Sequence, residues 1–185
     1  MTLSTQAAQT ARSTWTIDAA HTEVGFEVKH LMISKVRGRF GAVNGTIELD
    51  AEDPSRSSVT AEIDVTSVDT RQEQRDAHLR SPDFFDVESF PSITFASRSV
   101  ERVGDGRYRV TGDLTIRGVT REVVLDTTDE GRGRDPWGGE RAAFSASLVI
   151  DRRDFGLTWN QALETGGLLV ANDIRVTLDV QAVKA

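Results

Sequence analysis

Three histidines are the side chains of this sequence best suited to metal or acid–base chemistry: His21, His30 and His78. A histidine trio can hold a zinc ion with one position left for water, and a histidine can act as a general base near neutral pH. His21 and His30 are nine residues apart in a segment that alternates like a strand, so they fall on opposite faces. We therefore predict no metal site and no cofactor, and an enzyme that uses His78 or His30 stays an alternative.

A second candidate is a basic stripe on a predicted helix. Arg71, Arg75 and His78 fall at positions i, i+4 and i+7, which share one face. Because the guanidinium fork matches phosphate oxygens, the stripe suits a phosphate group or an anionic surface. The alternative is a solvated face with ion pairs such as Asp76 with Arg80.

The run Asp151-Arg152-Arg153-Asp154 contains two carboxylates that could share acid–base work. The arginines between them would hold both carboxylates ionised, so we interpret the run as an ion-pair cluster that steadies a loop. The chain has no cysteine, which excludes disulfides, thiolate catalysis and zinc–sulfur sites. No nucleophile-elbow, P-loop or dinucleotide-binding motif occurs either, and we predict that the protein is not an enzyme.

The elements that position these residues are mostly strands. Alternating apolar and polar residues recur about eight times, separated by Gly, Asp and Pro, which predicts an all-β, eight-stranded antiparallel up-and-down barrel. One helix is predicted over residues 71–80, because Thr70 and Glu73 form a capping box, and a short helical turn follows at Ser81-Pro82. Residues 1–13 are predicted to be a polar lead-in, and residues 14–185 a single barrel domain.

The alternation also predicts which side chains face the interior. A twelve-residue strand spans roughly 40 Å, and a tilt of about 40° gives a barrel about 30 Å tall. Such a deep apolar tube favours a chain-like ligand, although a core filled by its own side chains has the same pattern. Aromatic and aliphatic residues in the irregular segments would form a rim or lid, a plug, or a dimer contact. The predicted lumen residues are Phe26, Val28, His30, Ile47, Ile63, Phe84, Phe85, Phe95, Leu114, Ile116, Phe144, Leu148, Phe155, Leu157 and Trp159.

Composition narrows the class further. The net charge is −7 and no basic tract is interleaved with aromatics, so nucleic acid is not an expected partner. No apolar run approaches the ~20 residues that cross a bilayer. The amino terminus lacks a basic start followed by an apolar core, so a cytoplasmic location is expected.

Four stretches resemble the YceI-like family, the polyisoprenoid-binding lipocalin-like proteins. They are WTIDAAHTEVGFEVKH, RDAHLRSPDFFDVESFPSITF, TGDLTIRGVTREVVL and RRDFGL. The resemblance implies an extended eight-stranded barrel, a lumen for an isoprenoid such as a quinone or prenyl phosphate, and frequently a homodimer. It implies no established reaction. Many members of the family carry a secretory signal, which this sequence does not show.

Three functions follow from these observations. The first is storage or transport of one long isoprenoid lipid, with Arg71, Arg75 and His78 at the headgroup or barrel mouth and transient membrane contact during loading. The second is an enzyme that modifies a lipid or small molecule with His78 or His30. The third is a structural or stress-related dimer with a filled core.

Overall fold

The alternating segments fold into strands of one antiparallel sheet. The computed structural model describes residues 12–185, so most of the predicted lead-in, residues 1–13, lies outside the described residues. The strands are β1 (Arg12–Ile17), β2 (Glu23–His30), β3 (Ser34–Phe40), β4 (Val43–Asp50), β5 (Ser58–Asp64), β6 (Val68–Asp69), β7 (Ser92–Gly104), β8 (Arg107–Ile116), β9 (Val119–Arg134), β10 (Glu140–Asp151) and β11 (Val170–Lys184). The α-helix α1 spans Glu73–Arg80, and short 3₁₀ turns lie at Ala19–His21, Pro54–Arg56, Val65–Ser67 and Arg152–Phe155.

The sheet closes on itself. Its order is β1-β4-β5-β7-β8-β9-β10-β11, and β11 pairs back to β1 through Ile17 opposite Ala182. The strand β2 continues β1 after a bend, and β3 leads into β4 in the same way, so both pairs act as long interrupted strands. The predicted all-β fold, a closed eight-stranded antiparallel barrel with one helix, is confirmed.

The two ends of the barrel differ in chemistry. At one end, α1 and the residues after it pack near the β8–β9 turn, where the Arg117 guanidinium donates to the Phe84 carbonyl at 2.9 Å. We call this the helix end. The other end carries the start of β1 and the β7–β8 and β9–β10 turns, with Ser13, Asp129, Arg132 and Glu140 beside the interior. We call it the polar end.

The helix α1 starts two residues later than predicted. Its N-cap is Gln72, whose side-chain oxygen accepts from the Arg75 amide. The predicted capping box does not form, because Thr70 donates instead to the buried carboxylate of Asp76, from its backbone amide at 2.9 Å and from its hydroxyl. Arg71 therefore lies outside the helix, with a φ of 62°.

The β2–β3 hairpin was not predicted. Leu31 and Met32 form its turn with φ values of 54° and 63°. A β-turn with two left-handed central residues favours Asn-Gly, whereas bulky L-residues are disfavoured there by about 1–2 kcal/mol each. Sequence signals for a turn were therefore missing, and the strand β3 was overlooked.

The bend between β1 and β2 is held by Asp18. Its Oδ2 accepts from the Arg141 guanidinium at 2.7 Å and lies 2.8 Å from the His21 Nδ1. These hydrogen bonds, that of Arg141 first, lower the pKa of Asp18 from 3.8 to about 2. Because the folded pKa lies below the unfolded one, the interaction contributes fully above about pH 4 and is lost as the pH falls towards 2.

We predict that Asp18→Asn lowers the melting temperature at pH 7 by about 2–4 °C, which corresponds to roughly 1 kcal/mol for partly exposed partners. The difference from the parent protein should shrink as the pH falls below 4. Thermal melts between pH 7 and pH 3 measure it. Asp105→Asn, at a fully exposed aspartate, serves as control and should have no effect. A difference that does not change with pH would contradict this role.

Candidate functional site

A cavity of about 790 Å³ lies inside the barrel. This volume falls within the range of roughly 300–1,000 Å³ that is typical of small-molecule sites. Inward-facing residues from all eight strands of the closed ring form the cavity wall. Residues at both ends of the barrel also border the cavity. Nearly all side chains of the middle section are aliphatic or aromatic, so the cavity offers an apolar environment along the barrel axis.

Most of the predicted lumen residues border the cavity. The cavity wall contains Phe26, Val28, Ile47, Ile63, Phe84, Phe85, Phe95, Leu114, Ile116, Phe144, Leu148, Phe155 and Leu157. His30 and Trp159 do not border it. His30 pairs with Val170 and Ser34 at the tip of the barrel, and Trp159 packs against Phe84 and His78. Ligand contact by any of these residues stays a prediction.

The interior is hollow in its middle section. Val28, Leu114, Leu148 and Val176 point inward, yet each is only half-buried. In a close-packed core such side chains would lose nearly all their accessible surface. The half-burial therefore reports empty space that their own neighbours do not fill.

The helix end is closed by a floor of apolar side chains. Phe84, Phe155 and Leu157 are 7%, 2% and 6% exposed. Phe85 packs edge-on against Phe40, with ring centroids 5.8 Å apart. Among the alternatives for these segments, the structure favours the plug, because buried rings cannot form a loose rim.

A buried arginine fixes this floor. Arg152 is 4% exposed, and its guanidinium donates to the carbonyls of Leu157 at 2.7 Å, Trp159 at 2.8 Å and Ala171 at 2.9 Å. Leu157 and Trp159 lie on the connection between β10 and β11, which has little regular structure of its own, and Ala171 lies at the start of β11. The Arg152 side chain thus supplies hydrogen bonds that a neighbouring strand would otherwise provide to this segment. The sequence analysis did not predict this role of Arg152.

Of the ion-pair cluster predicted for the Asp151–Asp154 run, one pair forms, and Asp154 makes no ion pair within residues 12–185. Arg153 bonds Asp151 at 2.6 Å. This hydrogen bond lowers the pKa of Asp151 to about 2, so its carboxylate is ionised at neutral pH and is a weak base.

The predicted basic stripe does not exist as one face of a helix. Arg71 is exposed and precedes α1, while the Arg75 guanidinium donates to the Thr70 hydroxyl at 2.7 Å and carbonyl at 2.8 Å. The expected pair of Asp76 with Arg80 is also wrong, because Arg80 donates to the carbonyls of Thr66 and Val68.

His78 Nε2 lies 2.8 Å from Asp83, and its ring packs edge-on against Phe84 and Trp159. Like Arg71 and Arg75, it does not border the cavity. All three lie at the helix end, so a headgroup role for them stays a prediction. Over residues 12–185, no three His, Asp or Glu side chains are placed to hold a metal ion.

The polar end was missed by the sequence analysis. Arg132 lies over the rings of Phe144 and Trp15, at 5.0 and 5.7 Å from their centroids. It also bonds Asp129 at 2.7 Å. The signal was hidden because β9 continues through polar residues into a glycine-rich stretch that resembles a loop. Arg132 and Asp129 border the cavity together with Glu140 and Tyr108.

Comparisons with known proteins agree with this architecture. The model of the YceI-like domain family matches residues 15–182. A UPF0312 protein of Staphylococcus aureus is 39% identical over 162 residues, which cover 87% of this chain and 92% of the relative.

Two solved structures are also similar. A Campylobacter jejuni YCEI protein has a TM-score of 0.73 at 31% identity, covering 85% of this chain and 90% of the other. A polyisoprenoid-binding domain from Saccharophagus degradans, implicated in plant cell wall breakdown, has a TM-score of 0.68 at 15% identity, covering 92% and 98%. The second likeness concerns the fold alone. Within residues 12–185, no helix has the length and apolar character to span a membrane.

Proposed function

Since this chain belongs to the YceI-like family, we propose that it binds one long-chain isoprenoid lipid inside the barrel, for storage or transport. The observation that carries the proposal is the unfilled apolar lumen of about 790 Å³. The ligand class is proposed because the polyisoprenoid-binding domain from Saccharophagus degradans has a barrel of the same fold.

The energetics favour a tail-binding site. Each buried methylene contributes about 0.8 kcal/mol, so a few isoprene units outweigh the several kcal/mol that association and ordering cost. A preformed lumen keeps this cost low, because its wall is already fixed by the closed sheet. The floor at Phe84, Phe155 and Leu157 would receive the end of the tail, and the polar end would receive the headgroup.

Charges at the polar end favour an uncharged headgroup. Three carboxylates border the cavity there, Asp50, Asp129 and Glu140, against one cation, Arg132. The cations near them are engaged: Arg56 bonds Asp50 at 2.8 Å, and Lys184 bonds Glu140 at 2.9 Å. A phosphate would have to displace these carboxylates from their partners. Of the two headgroups considered, we therefore propose the quinone type over the prenyl phosphate.

Extraction of the purified protein with organic solvent, followed by mass spectrometry, tests lipid binding. We expect an isoprenoid in near-stoichiometric amount, or saturable binding of an added one by lipid-free protein. A folded, lipid-free protein that takes up no isoprenoid would overturn the proposal.

A comparison of headgroups tests the proposed preference for a quinone over a prenyl phosphate. With tails of equal length, an isoprenoid quinone or alcohol should bind at least about tenfold more tightly than the corresponding phosphate, which is about 1.4 kcal/mol. Asp129→Asn removes one carboxylate and frees Arg132. The variant should therefore show a smaller difference in affinity between the uncharged isoprenoid and the phosphate. Equal or tighter binding of the phosphate by the parent protein would contradict the headgroup assignment.

We also propose that the protein acts as a cytoplasmic homodimer, as the sequence analysis predicts. Sedimentation velocity of the purified protein measures the assembly state, and fractionation of the source cells measures the location. A monomer at micromolar concentration would contradict the homodimer. Recovery of the protein with exported proteins would contradict the cytoplasmic location.

A further inference from the structure

The β2–β3 hairpin ends in exposed apolar side chains. Leu31, Met32 and Ile33 are 40%, 57% and 87% exposed, and the neighbouring Leu168 is 40% exposed. We call these four residues the hairpin patch. They adjoin because the Leu31 amide donates to the Leu169 carbonyl at 2.9 Å. The Met32 side chain also lies so near Gly167 that a Cβ added there would come within 3.3 Å of Met32 Cγ.

The backbone of this turn is unsuited to its residues. Leu31 and Met32 both adopt left-handed φ values, 54° and 63°, where Asn and Gly would fit with little strain. A turn selected for stability alone would not keep two large apolar residues there. An observed backbone outlier of this kind points to a functional demand on the side chains.

The base of the hairpin carries positive charge on a chain whose net charge is −7. Lys29 and Lys35 face each other across the two strands, a juxtaposition of like charges that costs stability. Lys35 is bonded to Glu27 at 2.8 Å, whereas Lys29 makes no ion pair within residues 12–185. The apolar tip therefore projects beyond a pair of lysines. This arrangement is complementary to the hydrocarbon and the anionic headgroups of a lipid surface.

The size of the hairpin patch also argues for a bilayer over a second copy of the chain. Four partly exposed side chains present roughly 400 Å² at most, whereas a stable dimer buries about 800 Å² on each partner. A narrow projecting tip suits insertion into a deformable phase better than a flat protein interface.

We propose that the hairpin patch docks this protein on the surface of an anionic lipid bilayer. The base of the hairpin adjoins the lumen, because the cavity residue Val28 faces Ile174 and the next inward residue, His30, faces Val170. Docking would therefore hold the barrel at the membrane with which a lipid is exchanged, with the floor of Phe84, Phe155 and Leu157 between the bilayer and the lumen. This role in exchange rests on the proposed function, whereas docking itself can be measured without it.

The absence of cysteine allows a direct test with the whole protein. Ile33→Cys is labelled with an environment-sensitive fluorophore and mixed with vesicles of phosphatidylcholine and phosphatidylglycerol in equal parts. Val103→Cys, which is 48% exposed next to the β7–β8 turn at the polar end, is the matched control. We expect a blue shift for the label at position 33 alone, and a smaller shift on pure phosphatidylcholine. Equal responses of both labels, or of neither, would overturn the proposal.

A double variant separates docking from folding. Leu31→Asn with Met32→Gly introduces the residues that this turn favours, so its melting temperature should equal or exceed that of the parent. Its partitioning onto the same vesicles should fall roughly tenfold, because two apolar anchors are removed. Lys29→Gln should weaken partitioning on anionic vesicles only. Unchanged partitioning of the double variant would overturn the proposal.

Two further readouts separate the possible failures. If the patch contacts a second copy, the label at position 33 shifts with protein concentration in the absence of vesicles, which would also overturn the proposal. Isoprenoid uptake from detergent solution should be the same for the parent and the double variant. Vesicle docking without any isoprenoid uptake would contradict the proposed function and leave the docking surface standing.

Discussion

Replacement of Ala146 by tryptophan is expected to abolish isoprenoid binding while the barrel stays folded. Ala146 borders the cavity from the middle of β10, opposite Leu178 of β11. An indole there would enter space that is empty in the free protein, so it avoids most of the about 1–3 kcal/mol that overpacking of a filled core costs. It would also block a narrow tube, and we expect at least a hundredfold loss of affinity.

The neighbouring residue offers a matched control. Ser147 lies on the same strand with its side chain on the outer face, since successive side chains alternate. Ser147→Trp should therefore bind isoprenoid like the parent. Titration of lipid-free protein and thermal melts measure both variants. Normal binding by Ala146→Trp would show that the ligand lies elsewhere, and a drop in melting temperature above about 8 °C would indicate that the interior is filled.

The largest loss of stability is expected for Arg152→Ala. This substitution leaves the carbonyls of Leu157, Trp159 and Ala171 without their donor in a buried place. Unsatisfied buried groups cost about 1–3 kcal/mol each, although water entering the gap offsets part of this. We expect a loss of about 3–5 kcal/mol in the free energy of unfolding, measured by urea denaturation.

Two variants distinguish this role from a general effect of charge. Arg153→Ala removes the adjacent arginine, which is exposed and paired with Asp151, and should cost less than about 1 kcal/mol. Arg152→Lys keeps the positive charge, but lysine lacks the planar fork that reaches several carbonyls at once. This variant should therefore lose less free energy of unfolding than Arg152→Ala but remain less stable than the parent. Similar losses of stability for Arg152→Ala and Arg153→Ala would contradict the role of Arg152 in fixing these carbonyls.

The sequence was sufficient to predict the barrel because a half-buried strand alternates apolar and polar residues. Phe144, Ala146, Leu148 and Ile150 alternate with outward residues along β10, and all four border the cavity. Period two thus predicted both the strand and the direction of each side chain. It did not decide whether the interior is hollow, because a filled core requires the same alternation.

Features that depend on a single contact were not predictable from the pattern. Asn44-Gly45 is a residue pair typical of a hairpin turn, but β4 pairs regularly with β5 through both residues. The glycine is needed instead because a Cβ at position 45 would lie 2.4 Å from the Thr60 carbonyl oxygen. The delayed start of α1 belongs to the same class, since it follows from the bonds of Thr70 to the buried carboxylate of Asp76.

The crystal structure of the protein saturated with a long-chain isoprenoid quinone tests the central claim most directly. We predict continuous density inside the barrel, with the tail against Phe155 and Leu157 and the ring near Arg132 and Tyr108. An interior collapsed around its own side chains, with the lipid absent or bound only on the outer surface, would contradict the account.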